Sequence, residues 1–254
     1  MDGIRAPEEL VFIGIDCAVN PRHVGLARGV LTDGRPRIDQ VATGTTWPEI
    51  DNQVGGWINE RTLIALDAPL GWPAPLGEAL PAHRAGDPLS AEANAMFRRL
   101  TDDTVAERVG KRPLDIGADR IARTAHSALS FLGRLRKQTN LEIPLAWNPG
   151  TVEGISAIEV YPAGTLSGRG RLHSGYKGPK EEAFSARRRL INKLAEEMSF
   201  DSEISADMVA NNHQLDAVLC LLAAFDFSVG DVIRPSDLAL AKREGWIWVR
   251  ARSK

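Results

Sequence analysis

The sequence predicts a single α/β domain with a helical insertion. Three observations lead there: two short apolar runs that each stop at an aspartate, a helical segment between them, and an Asp-Gly turn between two further apolar segments. Val11–Ile15 (VFIGI) is rich in β-branched residues and ends at Asp16; a run that apolar fits a strand covered on both faces. Val24–Leu31 and Arg35–Val41 flank Thr32-Asp33-Gly34, a hairpin signal, so the chain opens with three strands, expected to be antiparallel. Trp47–Arg61 places Trp47, Ile50, Val54, Trp57 and Ile58 at loose helical spacing. Thr62–Leu66 then repeats the first pattern and ends at Asp67, and the helical crossover implies parallel pairing with the first strand.

Ala68–Pro88 is rich in Pro and Gly and reads as irregular. Ala91–Gln138 reads as helices broken near Gly110–Pro113. Ile155–Val160 is another apolar strand, carrying Glu159 near its end, and Gly164–Gly178 is a Gly-rich, basic loop. Glu181–Met198 is a charged amphipathic helix, His213–Phe227 a largely apolar one, and Trp246–Arg250 a short final strand. No repeat or linker divides residues 1–254, and the insertion spans approximately 74–140.

The bulk properties exclude little. A net charge of −2 supplies no attractive field, so any anion-binding surface must be a local patch. Two cysteines, Cys17 and Cys220, make no disulfide framework or zinc cluster. The first ten residues lack the pattern of a signal peptide, and no apolar run approaches the ~18 residues a membrane helix needs. A reduced, cytoplasmic setting without membrane partners is the expectation.

Asp16 alone reads as readily as a turn or cap residue as a ligand, and Asp67, in Asp-Ala-Pro-Leu-Gly, leans towards a turn. On parallel neighbouring strands, however, both emerge at the edge where open α/β sheets bind ligands. Asp216 shares a helical stripe with Cys220, Ala223 and Phe227; a charge there is costly unless it is metal-bound, hydrogen-bonded or paired with a buried arginine. Glu159 is a fourth candidate. Several carboxylates brought together suit hard cations such as Mg²⁺ or Mn²⁺. Two such ions ~3.5–4 Å apart activate water and stabilise a leaving phosphodiester oxygen. Without metal, the cluster repels itself and some of its pKa values rise.

The segments GID (Gly14–Asp16), ALDAPLGWP (Ala65–Pro73), RLTD (Arg99–Asp102), EVYP (Glu159–Pro162), YKG (Tyr176–Gly178) and LDAVLCLLAA (Leu215–Ala224) run through almost the whole chain. In content and order they resemble the domain of unknown function 429 family, described as predicted nucleases with a ribonuclease-H-like fold. The resemblance implies a five-stranded mixed sheet of order 3-2-1-4-5, flanked by helices, with its first three strands antiparallel and the insertion after the fourth. It also implies metal-binding carboxylates on the first strand, the fourth strand and a late helix, where Asp16, Asp67 and Asp216 fall. Glu159 belongs to the family's own motif, and its place in the catalytic set is our added expectation.

Related resolvases often carry a second carboxylate one turn before the helix aspartate; here that turn holds Asn212 and His213. His213 is an accessory candidate, as ligand, proton shuttle or simply a polar residue at the helix start. Arg99 and Asp102 are expected either to engage a phosphate or to pair internally. Lys177 and Lys180 are candidates for neutralising substrate phosphate, unless they belong to a solvated loop. Gly170–Lys177 lacks the Ser/Thr of a phosphate-binding P-loop, and no Gly-x-Ser-x-Gly elbow occurs. The expected function is metal-dependent phosphodiester hydrolysis on DNA or RNA. The alternatives are a non-catalytic module binding nucleic acid or protein, and an actin-like phosphotransferase, which would need phosphate hairpins that Cys17–Val24 does not resemble.

Overall fold

An open five-stranded mixed sheet of order β3-β2-β1-β4-β5 forms the centre of the computed structural model, which describes residues 9–117, 119–171 and 173–252. Its strands are β1 (Val11–Asp16), β2 (Gly25–Thr32), β3 (Arg35–Thr43), β4 (Thr62–Leu66) and β5 (Ile155–Glu159). The first three pair antiparallel, and β1, β4 and β5 run parallel, as the helical crossover requires. Between β2 and β3 the chain turns through Asp33 (φ 51°) and Gly34 (φ 76°), the two left-handed residues of a tight hairpin.

The helices are α1 (Trp47–Trp57), α2 (Ala74–Ala79), α3 (Ala93–Phe97), α4 (Leu100–Val109), α5 (Asp119–Thr139), α6 (Pro162–Gly168), α7 (Glu181–Leu194), α8 (Ser202–Ala210), α9 (Asn212–Ser228) and α10 (Leu238–Glu244). α2 to α5 form the insertion after β4. Two helices lie in stretches read as irregular, α2 and α6. In α6, Gly164 and Gly168 let the backbone pack closely: a Cβ on Gly168 would stand 2.5 Å from the Arg250 carbonyl oxygen. None of the helices among the described residues is long and apolar enough to cross a membrane.

The final strand predicted at Trp246–Arg250 does not form. Ile247 makes a single parallel bridge to Glu159, and another short segment at Leu145 bridges Ala157. The outer edge of β5 is therefore shared between two segments, neither of which extends into a ladder. Trp246 and Trp248 are buried instead, and Trp248 packs edge-on against Phe227 of α9 with ring centroids 4.9 Å apart.

Two cores flank the sheet. Val11, Ile13 and Ile15 of β1 pack with Ile50 and Val54 of α1 and Phe131 and Leu135 of α5. Phe12, Leu63 and Ala65 face the opposite core, which α9 dominates. Strand alternation therefore places Asp16 on the α9 face, with Phe12 and Gly14. Asp67 follows β4 in line with Leu63 and Ala65, so it shares that face.

The approach of α9 depends on two glycines. A Cβ on Gly14 would stand 2.0 Å from the Ala217 carbonyl oxygen, and one on Gly25 would stand 1.9 Å from that of His213. Gly25 pairs with Asp16 in the β1–β2 register, so the N-terminus of α9 lies directly over Asp16. Gly25→Ala is expected to cost at least about 1–3 kcal/mol, because backbone rather than a flexible side chain must give way. It should also displace His213 from Asp16. Urea unfolding and the titration of the His213 imidazole by NMR check this; an unchanged midpoint together with an unchanged titration would refute it.

Candidate carboxylate site at the sheet edge

At the carboxyl ends of β1 and β4, Asp16 and Asp67 sit side by side. The ladder between these strands continues past β4, with the Asp67 amide donating to the Ile15 carbonyl at 2.9 Å. Asp216 projects from the first turns of α9 and is fully buried. That helix starts where the Asn211 side chain accepts from the His213 amide at 2.9 Å and donates to Thr43 at 2.8 Å. Three carboxylates from segments far apart in sequence thus meet on one face of the sheet.

Each has a distinct environment. Nδ1 of His213 lies 2.6 Å from Oδ2 of Asp16. When Asp16 is ionised it can only accept, and Nδ1 is then the donor. The imidazole also stacks on His23, with centroids 5.6 Å apart. The Tyr176 hydroxyl donates to Oδ1 of Asp216 at 2.7 Å, and the Lys177 ammonium stands 2.6 Å from Oδ2. That ammonium approaches outside hydrogen-bonding geometry, so buried Oδ2 has an ion-pair partner but no hydrogen bond.

Burial pushes the Asp16 carboxyl up to about 6; the bond from His213 opposes this and the Asp216 charge adds to it. Burial, and next the charge of Asp16, holds Asp67 well above the usual carboxylate range. Hydrogen bonding to Asp16 raises His213 against the opposing effect of burial. Lys177 is raised too: desolvation opposes protonation, but the charges of Asp216, Asp67 and Asp16 outweigh it. The side chain of Lys177 is more than half exposed, so it can leave the cluster for solvent. Burial pushes the thiols of Cys17 and Cys220 well up, which keeps both protonated and poor nucleophiles.

Four further candidates have other partners or surroundings. Glu159 pairs in register with Leu66 rather than Asp67, so its side chain points to the sheet face opposite α9. There the buried Arg99 grips it bidentately, at 2.8 and 2.9 Å, and the Leu70 amide donates to it at 2.9 Å. Glu159 is thus held in an ion pair with Arg99, while its charge still reaches Asp67. Arg99 also donates to Asp102 at 2.9 Å, which accepts in addition from the Arg99 amide, so the two residues are held in an internal ion pair, and Arg99 and Glu159 line the cavity that opens beside Asp67. Together they clamp the Asp67 loop, α4 and β5 to one another. Lys180 stands exposed at the start of α7 and has no ion pair among the described residues.

Two contributors went unread in the sequence. Tyr176 fixes Asp216, and Arg187, itself buried, donates to the carbonyls of Tyr176 (2.6 Å), Gly178 (3.1 Å) and Val209 (2.6 Å). Arg187 thereby holds the backbone on both sides of Lys177. A signal for Tyr176 existed: a large side chain with a polar tip, set in a Gly-rich loop, needs a buried partner for its hydroxyl.

The donor set suits a hard cation: carboxylate oxygens, one of them buried without a hydrogen bond, with an imidazole beside them. As the side chains stand, no three of His, Cys, Asp and Glu among the described residues converge on one liganding point. The Lys177 ammonium is the positive charge present at Asp216. A cavity of about 230 Å³ opens beside Asp67, with Cys17, Tyr161 and Thr124 among its walls and Leu114 at its exposed rim.

Neither the curated proteins nor the solved structures include a match to this chain. The family model described as "Protein of unknown function (DUF429)" matches residues 14–239, which take in both strand-end aspartates, the Arg99–Asp102–Glu159 clamp, Lys177 and Asp216. The chain belongs to the DUF429 family.

Proposed function

We propose that this edge of the sheet binds Mg²⁺ or Mn²⁺ and hydrolyses phosphodiester bonds in DNA or RNA. The support is the placement of Asp16 and Asp67 at the carboxyl ends of parallel strands and of Asp216 on the same face, near enough for their charges to act on one another, with the part-exposed Lys177 ammonium beside them. These three would supply the ligand oxygens. The chemistry such a cation would supply is activation of a water and polarisation of a phosphoryl oxygen. Tyr176 keeps Oδ1 of Asp216 occupied and directs Oδ2 into the cluster. Lys177, displaced from Asp216, neutralises a substrate phosphate. His213 holds Asp16 and can pass a proton at Nε2. The setting proposed is the cytoplasm, where the free thiols of Cys17 and Cys220 stay reduced.

The test uses purified protein with Mn²⁺ or Mg²⁺ on single-stranded, duplex and branched DNA and on RNA, with Asp16→Asn as control. Cleavage by the wild type that is lost with chelator and in the variant is the expected outcome. Equal cleavage by both proteins would sink the proposal. One observation favours a non-catalytic binding site: His213 and Lys177 already answer two of the three carboxylates. Metal-independent nucleic-acid binding without cleavage is its signature.

A further inference from the structure

Tyr176 also lines a second cavity, of about 260 Å³, whose walls include none of Asp16, Asp67, Asp216 or Lys177. Ala186, Arg189, Leu190 and Lys193 form one wall; their spacing puts all four on a single stripe of α7. Arg171 and Ser174 of the Gly-rich segment complete it. None of the lining residues is acidic.

The positive charge here is only partly answered. Glu197 pairs with Arg171 and also with Arg169, and Glu196 pairs with Lys193 at 2.9 Å on the exposed surface. Arg169 is otherwise bound to Asp226. Arg189 has no carboxylate within ion-pair distance among the described residues. Arg189 and Lys193, four residues apart on α7, repel one another. Nη1 of Arg171 is buried with no hydrogen-bond partner, a donor whose desolvation nothing in the fold offsets. A guanidinium fork with a free buried nitrogen, two cations at the rim and a hydroxyl beside them is a donor set that Glu196 and Glu197 answer only in part. The ring of Tyr176 and the side chains of Leu190 and Ala186 add an apolar wall.

We propose that this cavity binds a phosphate monoester: Arg171, Arg189, Lys193 and Ser174 take the phosphate oxygens, and the apolar wall takes the group that carries them. The chemistry is that of a free mononucleotide or of a 5′-phosphorylated nucleic-acid end. The site is separate from the carboxylate edge and stands whether or not that edge cuts. An occupant would press on the ring whose hydroxyl holds Asp216, which links the two sites through one side chain.

Calorimetry in the presence of chelator keeps this test independent of metal chemistry. The probes are adenosine 5′-monophosphate, adenosine, inorganic phosphate, and one oligonucleotide with either a 5′-phosphate or a 5′-hydroxyl. The nucleotide should bind more tightly than inorganic phosphate, and adenosine should not bind. The double variant Arg189→Ala/Lys193→Ala, at exposed positions that leave the fold intact by circular dichroism, should weaken the phosphorylated ligands by about ten-fold or more. A phosphorylated oligonucleotide that outbinds the nucleotide identifies a strand end; equal affinities identify the free nucleotide. The proposal is overturned if adenosine binds as well as its phosphate, if no phosphorylated probe binds, or if the double variant binds them as tightly as the wild type.

Discussion

Arg99→Met is expected to destabilise the protein by about 3–5 kcal/mol at pH 7, the cost of leaving buried partners without their counter-charge. Arg99, Glu159 and Asp102 are each almost fully buried, and the guanidinium bonds both carboxylates at 2.8–2.9 Å. The two ends of the Arg99–Glu159 pair differ in what they reveal. Desolvation works against the Arg99 charge, but Glu159 and Asp102 outweigh it and raise the guanidinium above its usual range. Burial raises Glu159 despite Arg99, so the carboxylate is the costlier member. With the arginine gone, the folded-state value of Glu159 climbs further. A carboxyl raised in the folded state loses stability as pH rises, so the deficit of the variant should be largest at pH 7 and smaller near pH 4.5. Urea unfolding at both pH values measures this. Adding Glu159→Gln to the variant should recover part of the loss, since it removes one of the abandoned charges. A deficit under about 1 kcal/mol at pH 7, or one that ignores pH, would show that the clamp matters little.

The elements that survived from sequence to structure are those with a local cause. A β-branched run covered on both faces reads as a strand wherever it lies, and Asp-Gly dictates its own turn, so β1 to β4 and the hairpin were legible. Asp16, Asp67 and Asp216 were legible as a group because each sits where a strand or an apolar helix leaves a charge with little reason to be there. Glu159 was not, because its direction depends on register: a slip of one residue against β4 would place it beside Asp67, and only the Leu66–Glu159 pairing turns it to the other face. Arg99 and Glu159 are sixty residues apart, and neither motif alone names its partner. Trp246–Arg250 has a strand's composition, but the edge it needed is shared with the segment at Leu145. Lys177 reads as a loop residue until Arg187 fixes the carbonyls around it, and that bond pattern leaves no periodic trace.

Asp16→Asn should yield a protein that is both more stable and inactive, a pairing that separates a metal ligand from a turn residue. The carboxyl of Asp16 is pushed from its ordinary 3.8 to about 6, chiefly by burial. In the folded state that rise corresponds to a penalty of roughly 3 kcal/mol. The sign follows from linkage: the raised folded-state value carries no penalty below about pH 3.8, and the penalty grows through the window up to about 6, above which it is complete. Asparagine removes the charge and keeps an oxygen to accept from Nδ1 of His213, so the variant should gain on the order of 1–3 kcal/mol at pH 7 and almost nothing near pH 3.5. Removing one of two facing charges also relieves Asp67, whose value Asp16 raises. If Asp16 merely ended a strand, the same substitution would move stability by only a few tenths of a kcal/mol in either direction. Activity should move the opposite way, falling at least about a hundred-fold with the loss of several kcal/mol of charge stabilisation in the transition state. Divalent cation should raise the melting temperature of the wild type and leave that of the variant almost unmoved, because only a ligand that prefers the folded state stabilises it. A variant less stable than the wild type at pH 7, or one stabilised equally by Mn²⁺, would remove Asp16 from the metal site. A carboxylate that costs stability where asparagine would not is kept for what it binds, since the exchange of one heavy atom would remove the penalty.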